Sequence, residues 1–404
     1  MKAEELKREA EKLKTDIIAD REYLHAHAET GFELKDTLPY VKSELEKMGY
    51  EPKPCGKAGL VALAGGRKAG KTFLLRADMD ALPITEQSGV EFASGNGCMH
   101  ACGHDMHTAM LLGAAKLLKK YENEICGTVK LMFQPAEEIF EGSSDMIRAG
   151  LLDAALMIHV MAGMPFEPGT VIVSDPGVSA PAADCFEIRV KGKGCHGSMP
   201  NMGVDPLTAA AHILIALQEI QTRELAMNDR AVLTVGSMHA GTAANAIPDE
   251  AVMEGSLRTF DEAVRETVKR RMTEIATGIA TVFRAEAELR FGSGCPTLKN
   301  DRELSADAYR YGKELLGAGK IFTVAQLNAG KEAGETSKSA GSEDFAYVSQ
   351  KVPSIMLALA AGQPEKGYVY PQHHPMVKFD SDALDFGSAV YAYIAMRWLE
   401  EHKT

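Results

Sequence analysis

Ten residues, Cys98-Met99-His100-Ala101-Cys102-Gly103-His104-Asp105-Met106-His107, constrain this chain more than any other stretch. They hold two cysteines, three histidines and an aspartate. No helix or strand requires that mixture. Thiolate, imidazole and carboxylate are the groups that bind Zn²⁺, Mn²⁺ or Co²⁺. Immediately afterwards Met110, Ala114 and Leu117 recur at helical spacing, with Leu111, Ala115 and Leu118 beside them. The cluster is therefore expected on a glycine-containing loop that opens a buried helix. The structural alternative makes Cys98 and Cys102 small buried hydrophobes and the histidines hydrogen-bonded core residues. For the whole cluster that alternative is disfavoured, because burying so many ionisable groups without a metal costs too much.

The 404 residues suggest two domains. A formal net charge of −12 argues against general nucleic-acid or anionic-membrane binding. The N-terminus (Glu4, Glu5, Leu6, Lys7, Arg8, Glu9) has no apolar signal core, and no later stretch is long and apolar enough to span a bilayer. The seven cysteines are odd in number and show no disulfide-scaffold spacing, so a reducing cytoplasm is the expected compartment.

In chain order, residues 3–20 are expected to form one amphipathic helix and residues 36–48 a second. His25 and His27 follow the first helix without a companion carboxylate or cysteine, which favours a structural role over a ligand role. Residues 60–64 and 72–76 are expected to form short buried strands. The second runs into Arg76-Ala77-Asp78-Met79-Asp80, where either aspartate could orient a metal-bound histidine or pair with Arg76. Residues 127–133 form another apolar strand that leads to Gln134-Pro135-Ala136-Glu137-Glu138. Of two adjacent glutamates, one can bind metal while the other handles a proton, a division that suits hydrolysis. The run 151–160 places His159 at a third strand end carrying a metal-type residue.

Beyond residue 180 the order strand, helix, strand, strand, helix, strand (185–191, 205–222, 231–238, 250–258, 261–280, 286–291) is the split ferredoxin-like unit. It carries Gly194-Cys195-His196-Gly197-Ser198-Met199-Pro200, Asn245-Ala246-Ile247-Pro248 and Arg258 at its connections. Arg258 suits a substrate carboxylate, and otherwise a surface ion pair. From Cys295 a helix (302–316), Ser342-Glu343-Asp344-Phe345 capping a short helix, a strand (354–360), Gln372-His373-His374-Pro375 and a final helix (383–399) complete the chain. The polar stretch 328–340 reads as a surface loop.

Over nearly its whole length the chain resembles the co-catalytic metallopeptidase family of aminoacylases, hippurate hydrolases, auxin-conjugate amidohydrolases and related carboxypeptidases. The hippurate hydrolase-like branch is most similar. The likeness rests on the segments 76–83, 99–105, 133–138, 197–200, 245–248, 342–345 and 373–375. It implies an α/β fold: a mixed-sheet α/β/α metallohydrolase domain (1–180 and 295–404) with an inserted ferredoxin-like lid and dimerisation domain (181–294). It implies two divalent ions (Mn²⁺, Zn²⁺ or Co²⁺) held by Cys102, His104, Glu138, His159 and His373, with Cys102 shared. His373 is preferred to His374 because the family's last metal histidine precedes an x-Pro pair. Glu137 would be the general base, His196 would stabilise the oxyanion, and Asn245 and Arg258 would bind substrate. Relatives commonly carry glycine where this chain has Cys195. The implied activity is hydrolysis of N-acyl amino acids to a free amino acid and a carboxylic acid. The implied assembly is a homodimer or higher homo-oligomer formed through the lid. Dipeptidase or carboxypeptidase action is the alternative with the same chemistry. A non-catalytic metal-binding scaffold would have lost Glu137 or a ligand, and a cysteine hydrolase using Cys102 fits the surrounding carboxylates less well than a metal does.

Overall fold

A computed structural model describes residues 2–147, 152–329 and 341–403. The chain divides into two compact units, one of them Ala180–Leu298 together with the described residues 341–343, the other the flanking segments.

The larger unit is built on an eight-stranded mixed sheet. Its strands are β1 (Lys53–Cys55), β2 (Gly59–Gly65), β3 (Thr72–Asp78), β4 (Thr128–Gln134), β5 (Ala154–Met161), β6 (Val171–Val173), β7 (Ile321–Thr323) and β8 (Ser354–Ala360). Their order across the sheet is β1-β2-β4-β3-β5-β8-β6-β7. The central four, β4, β3, β5 and β8, are mutually parallel, and β2 and β6 run antiparallel to their neighbours β4 and β8. β3 and β4 are buried at every residue after the first, the continuous burial expected of parallel strands covered on both faces. Because these four strands point the same way, their carboxyl ends share one rim. Asp78, Asp80, Glu137, Glu138 and His159 all come from that rim, where open α/β sheets place their ligands. The helices Lys14–Ala26, His104–Lys120 and Leu384–Glu401 pack on one another, and the last two also pack on β3 and β5. Gly113 permits a close approach: a Cβ there would lie 2.4 Å from Ser388 Oγ and 2.7 Å from Ile17 Cδ1.

The smaller unit is a four-stranded antiparallel sheet in the spatial order Ala231–Ala240, Glu250–Thr259, Ala182–Lys191, Glu286–Cys295. Helices Pro206–Glu219 and Glu262–Val282 pack on it through a core that includes Phe186, Ile188, Ile213, Leu217, Met253, Leu257, Val268 and Met272. Asp205 and Asp261 each accept two backbone N–H groups at the start of the following helix, which fixes where each helix begins. Chain order and spatial order are those of the split ferredoxin-like unit.

Four local expectations change. Residues 3–20 are not one helix: Ala3–Lys12 and Lys14–Ala26 meet at Leu13, a break that no glycine or proline announces. His104, Asp105 and His107 lie within the first turn of the helix rather than on the preceding loop. Asp344 does not cap the short helix Ala346–Ser349, because its carboxylate turns to Arg76 and Gln134. Of the stretch read as a loop, Asn328 ends a helix, Val324–Asn328, held by a Thr323/Gln326 capping box; 330–340 lies outside the described residues.

Candidate metal centre

Gly103 sets the geometry of the Cys/His cluster. Its φ of +93° is left-handed, and a Cβ would lie 2.4 Å from Val160 Cγ2, so a side chain is excluded on both counts. The helix starts at the next residue. His104 Nδ1 donates to the Asp80 carbonyl at 2.8 Å. That bond places the neutral ring's lone pair on Nε2. Burial disfavours a charged ring, but Asp78 and Cys102 outweigh it and hold this imidazole well above its usual value while no cation is present. Nε2 is buried without a hydrogen-bond partner. It lies 3.7 Å from Asp78 Oδ2, 3.8 Å from Glu138 Oε1 and 3.9 Å from Glu137 Oε2. A buried polar nitrogen left unpaired costs roughly 1–3 kcal/mol. A cation among these carboxylates removes that cost.

The glutamate pair is held by its backbone. Past β4 the chain turns through Ala136 at φ +57°. Asp80 Oδ1 then accepts the N–H of Glu137 at 2.9 Å, and Oδ2 accepts that of Glu138 at 3.2 Å. Glu137 Oε1 accepts the N–H of Asp344 at 3.3 Å. The Asp344 carboxylate is itself fastened by Arg76, Gln134 and the N–H of Ser143, at 2.7–2.9 Å. Glu138 Oε2 lies 3.7 Å from His373 Nε2. His373 adopts φ +66°, and its N–H donates to the Ala101 carbonyl at 2.9 Å, which ties its loop to the cysteine loop. His374 stacks on Tyr370, and its Nδ1 accepts the N–H of Met376.

His159 donates from Nδ1 to the Val160 carbonyl at 2.8 Å and brings Nε2 to 3.5 Å from Cys102 Sγ. The five candidate ligands thus form two triads, Cys102-His104-His159 and Cys102-Glu138-His373, each with its donor atoms within 4.8 Å of one another. Cys102 belongs to both. Burial pushes the Cys102 thiol up to about 12, so without a cation it is a neutral thiol at physiological pH. This argues against a free nucleophilic thiolate. Burial pushes His159 down to about 4, leaving the neutral imidazole that a metal requires. The donor set fits divalent ions of borderline softness.

His107 is equally buried but has no nitrogen to give. Its Nδ1 donates to Asp78 Oδ1 at 2.6 Å, and its Nε2 accepts the N–H of Val160 at 2.9 Å. His25 is clamped between Asp105 Oδ2 at 2.9 Å and Glu86 Oε1 at 3.0 Å, and His27 donates to the Tyr23 carbonyl; both are structural.

In the smaller unit, His196 and Ala246 face each other in a two-stranded pair, so His196 and Asn245 are brought side by side. The N–H of Gly197 donates to the Asn245 carbonyl at 2.7 Å. Arg258 Nη1 donates to Ser342 Oγ at 2.6 Å.

Residues 74–397 match the model of peptidase family M20/M25/M40. This chain belongs to that family. It is 37% identical over 393 residues to an N-acetylcysteine deacetylase of Bacillus subtilis, covering 96% of this chain and 98% of the relative. An N-acyl-L-amino acid amidohydrolase of Geobacillus stearothermophilus is 42% identical over 299 residues, 73% of this chain and 80% of that one. Among solved structures, a dinuclear metal-binding M20 peptidase of Bacillus subtilis superposes with a TM-score of 0.76 at 33% identity, covering 96% of this chain and 99% of the other. The M20 chain described here is accordingly a hydrolase acting on amide bonds, with a centre suited to divalent metal.

The residues that brace this M20 centre were the hardest to foresee. Asp80 was a candidate to orient a histidine through its carboxylate; it orients His104 through its carbonyl and the glutamates through its carboxylate. Asp78 pairs with Arg76, as one of its two alternatives had it, and its other oxygen accepts from His107, which is not one of the five candidate ligands. Gln372, beside His373, donates to the Val160 carbonyl at 3.0 Å. Only its adjacency to the histidine pair hinted at a role.

Proposed function

We propose that this chain cleaves the amide bond of N-acyl amino acids, releasing a free amino acid and a carboxylic acid. In this reading two divalent ions, Mn²⁺, Zn²⁺ or Co²⁺, are held by Cys102, His104, Glu138, His159 and His373. The observation that carries it is the sharing of Cys102 between two donor triads, with the Glu137 carboxylate beside them. When bound, the ions polarise the scissile carbonyl and lower the pKa of a coordinated water.

The chain's own groups do the rest. Glu137 accepts the proton of the attacking water on its carboxylate and returns it to the leaving nitrogen. Asp80 and Asp344 keep that carboxylate in place through backbone N–H groups. His196 donates to the oxyanion of the tetrahedral intermediate. Arg258 receives the substrate carboxylate through its guanidinium, and Asn245 a substrate carbonyl. The inserted unit, 181–294, acts as lid and dimerisation domain. The cytoplasm is the proposed compartment; no described helix is long and apolar enough to cross a membrane.

The test is hydrolysis of N-acetyl, N-benzoyl and N-indoleacetyl amino acids beside simple dipeptides, after chelation and reconstitution with each metal. Metal-restored cleavage of the acylated amino acids supports the proposal. Cleavage of dipeptides alone would move the activity to peptidase.

A further inference from the structure

The loop after His196 is a tight turn aimed back at the histidine's own ring. The N–H of Met199 donates to the His196 carbonyl at 2.8 Å, which closes the turn over Gly197 and Ser198. Gly197 is where the turn touches its partner strand: a Cβ there would lie 2.8 Å from the Asn245 carbonyl oxygen. The turn is therefore pinned against Asn245 by the Gly197 hydrogen bond on one side and closed by Met199 on the other. Pinned this way, Ser198 presents two groups to one ring nitrogen. Its backbone N–H lies 3.2 Å from His196 Nδ1, and its Oγ lies 2.8 Å from the same atom.

A backbone N–H can only donate. His196 Nδ1 must then be the acceptor, and the proton of the neutral ring sits on Nε2. The Ser198 hydroxyl rotates freely and adds a second donor at the shorter distance. A ring in the opposite tautomer would set two N–H groups against each other at the backbone contact. Two separate donors from one residue thus favour the same tautomer, and the proton is on the edge of the ring that faces away from its own turn.

We propose that Ser198 is a positioning residue that fixes His196 as the Nε2–H tautomer, so that the ring offers a donor to a developing oxyanion. The proposal rests on the reading of His196 as the oxyanion donor. It adds what makes His196 a donor rather than an acceptor. An oxyanion needs an N–H already in place, since no reorganisation is then required when charge develops. Asparagine or glutamine could supply a donor only after choosing between its two ends, whereas a histidine locked at Nδ1 has one outward group.

The experiment uses the full metal-loaded chain, selectively ¹⁵N-histidine labelled, at pH 8. The His196 ring signals are assigned by their loss in His196→Ala. The expected result is a pyridine-like Nδ1 and a pyrrole-like Nε2 in the wild type. In Ser198→Ala the two shifts move toward each other and kcat falls about 3- to 10-fold with KM nearly unchanged, the loss of one modest hydrogen bond felt at the transition state. Ser198→Thr keeps the hydroxyl and restores both readouts. A pyrrole-like Nδ1 in the wild type overturns the proposal, as does a Ser198→Ala protein whose ring shifts or kcat do not move while His196→Ala is inactive. Full activity in His196→Ala would instead remove the oxyanion reading itself, and the proposal with it, whatever the ring shifts show.

Discussion

Asp80 and Glu137 are joined by a 2.9 Å hydrogen bond from the Glu137 backbone N–H to one carboxylate oxygen of Asp80, while the other oxygen takes the N–H of Glu138. One buried carboxylate thereby fixes the backbone of two adjacent glutamates to which different tasks are proposed. Replacing it by an amide keeps the shape but turns one acceptor into a donor that faces an N–H. Asp80→Asn is expected to lower kcat by about 10- to 100-fold and to weaken metal binding, the usual cost of disturbing groups that orient ligands. Steady-state kinetics with metal titration check this, and unchanged values for both would show that the pair is held by other contacts.

Glu137→Gln removes the proposed proton acceptor without altering the five proposed ligands. Turnover should fall by about 10²- to 10⁴-fold, the range associated with a positioned general base, while metal content stays at the wild-type value. The measurement pairs kcat with elemental analysis of the same sample. Retained activity would mean that another group takes the proton.

Gln372 and His107 meet at Val160, one on its carbonyl and the other on its N–H, and the same carbonyl accepts from His159. Gln372→Ala should leave His159 less well fixed and free the loop of His373 at once. Metal affinity is expected to drop about tenfold, read by calorimetric titration of the stripped protein. An unchanged affinity would make Gln372 a simple loop residue.

The centre was legible where its chemistry is contiguous. Cys102 and His104 stand out because they belong to a dense Cys/His cluster just ahead of an apolar helix, and Glu137, Glu138 and His159 because each follows or ends a short apolar strand, ends that parallel strands gather on one rim. The bracing was not legible, because it joins residues far apart in the chain. Asp344 reaches Arg76 and Gln134 across more than 200 residues. Beside Glu343 and ahead of a short helix it looked like an ordinary cap. His107 carries the same side chain as its neighbour His104, and only the hydrogen bonds at both of its nitrogens separate a brace from a ligand. The break at Leu13 left no mark because both flanking segments are helical in composition.

Away from the metal, His25 gives a pH signature. Burial opposes its charge, but Asp105 and Glu86 on either side outweigh it and raise the imidazole to about 9. Against an unfolded value near 6.5, the charged ring stabilises the fold fully below about pH 6.5, and that contribution is lost as pH rises through about 9. On the order of 3 kcal/mol is at stake for a shift of this size. His25→Gln should therefore lower Tm most at pH 6, with a smaller gap from wild type at pH 9.5. A gap that does not change with pH would mean that His25 is neutral in the folded protein.

The central claim is that Cys102 serves both halves of a two-metal centre. Its most direct test is the number of ions bound per chain by wild type and Cys102→Ala after stripping and reconstitution with Mn²⁺, Zn²⁺ or Co²⁺, with Co²⁺ spectra reporting thiolate ligation. Two ions in the wild type with a thiolate-to-Co²⁺ band, and loss of that band with weakened binding at both sites in the variant, is the predicted result. Two ions held by Cys102→Ala with wild-type affinity would contradict it.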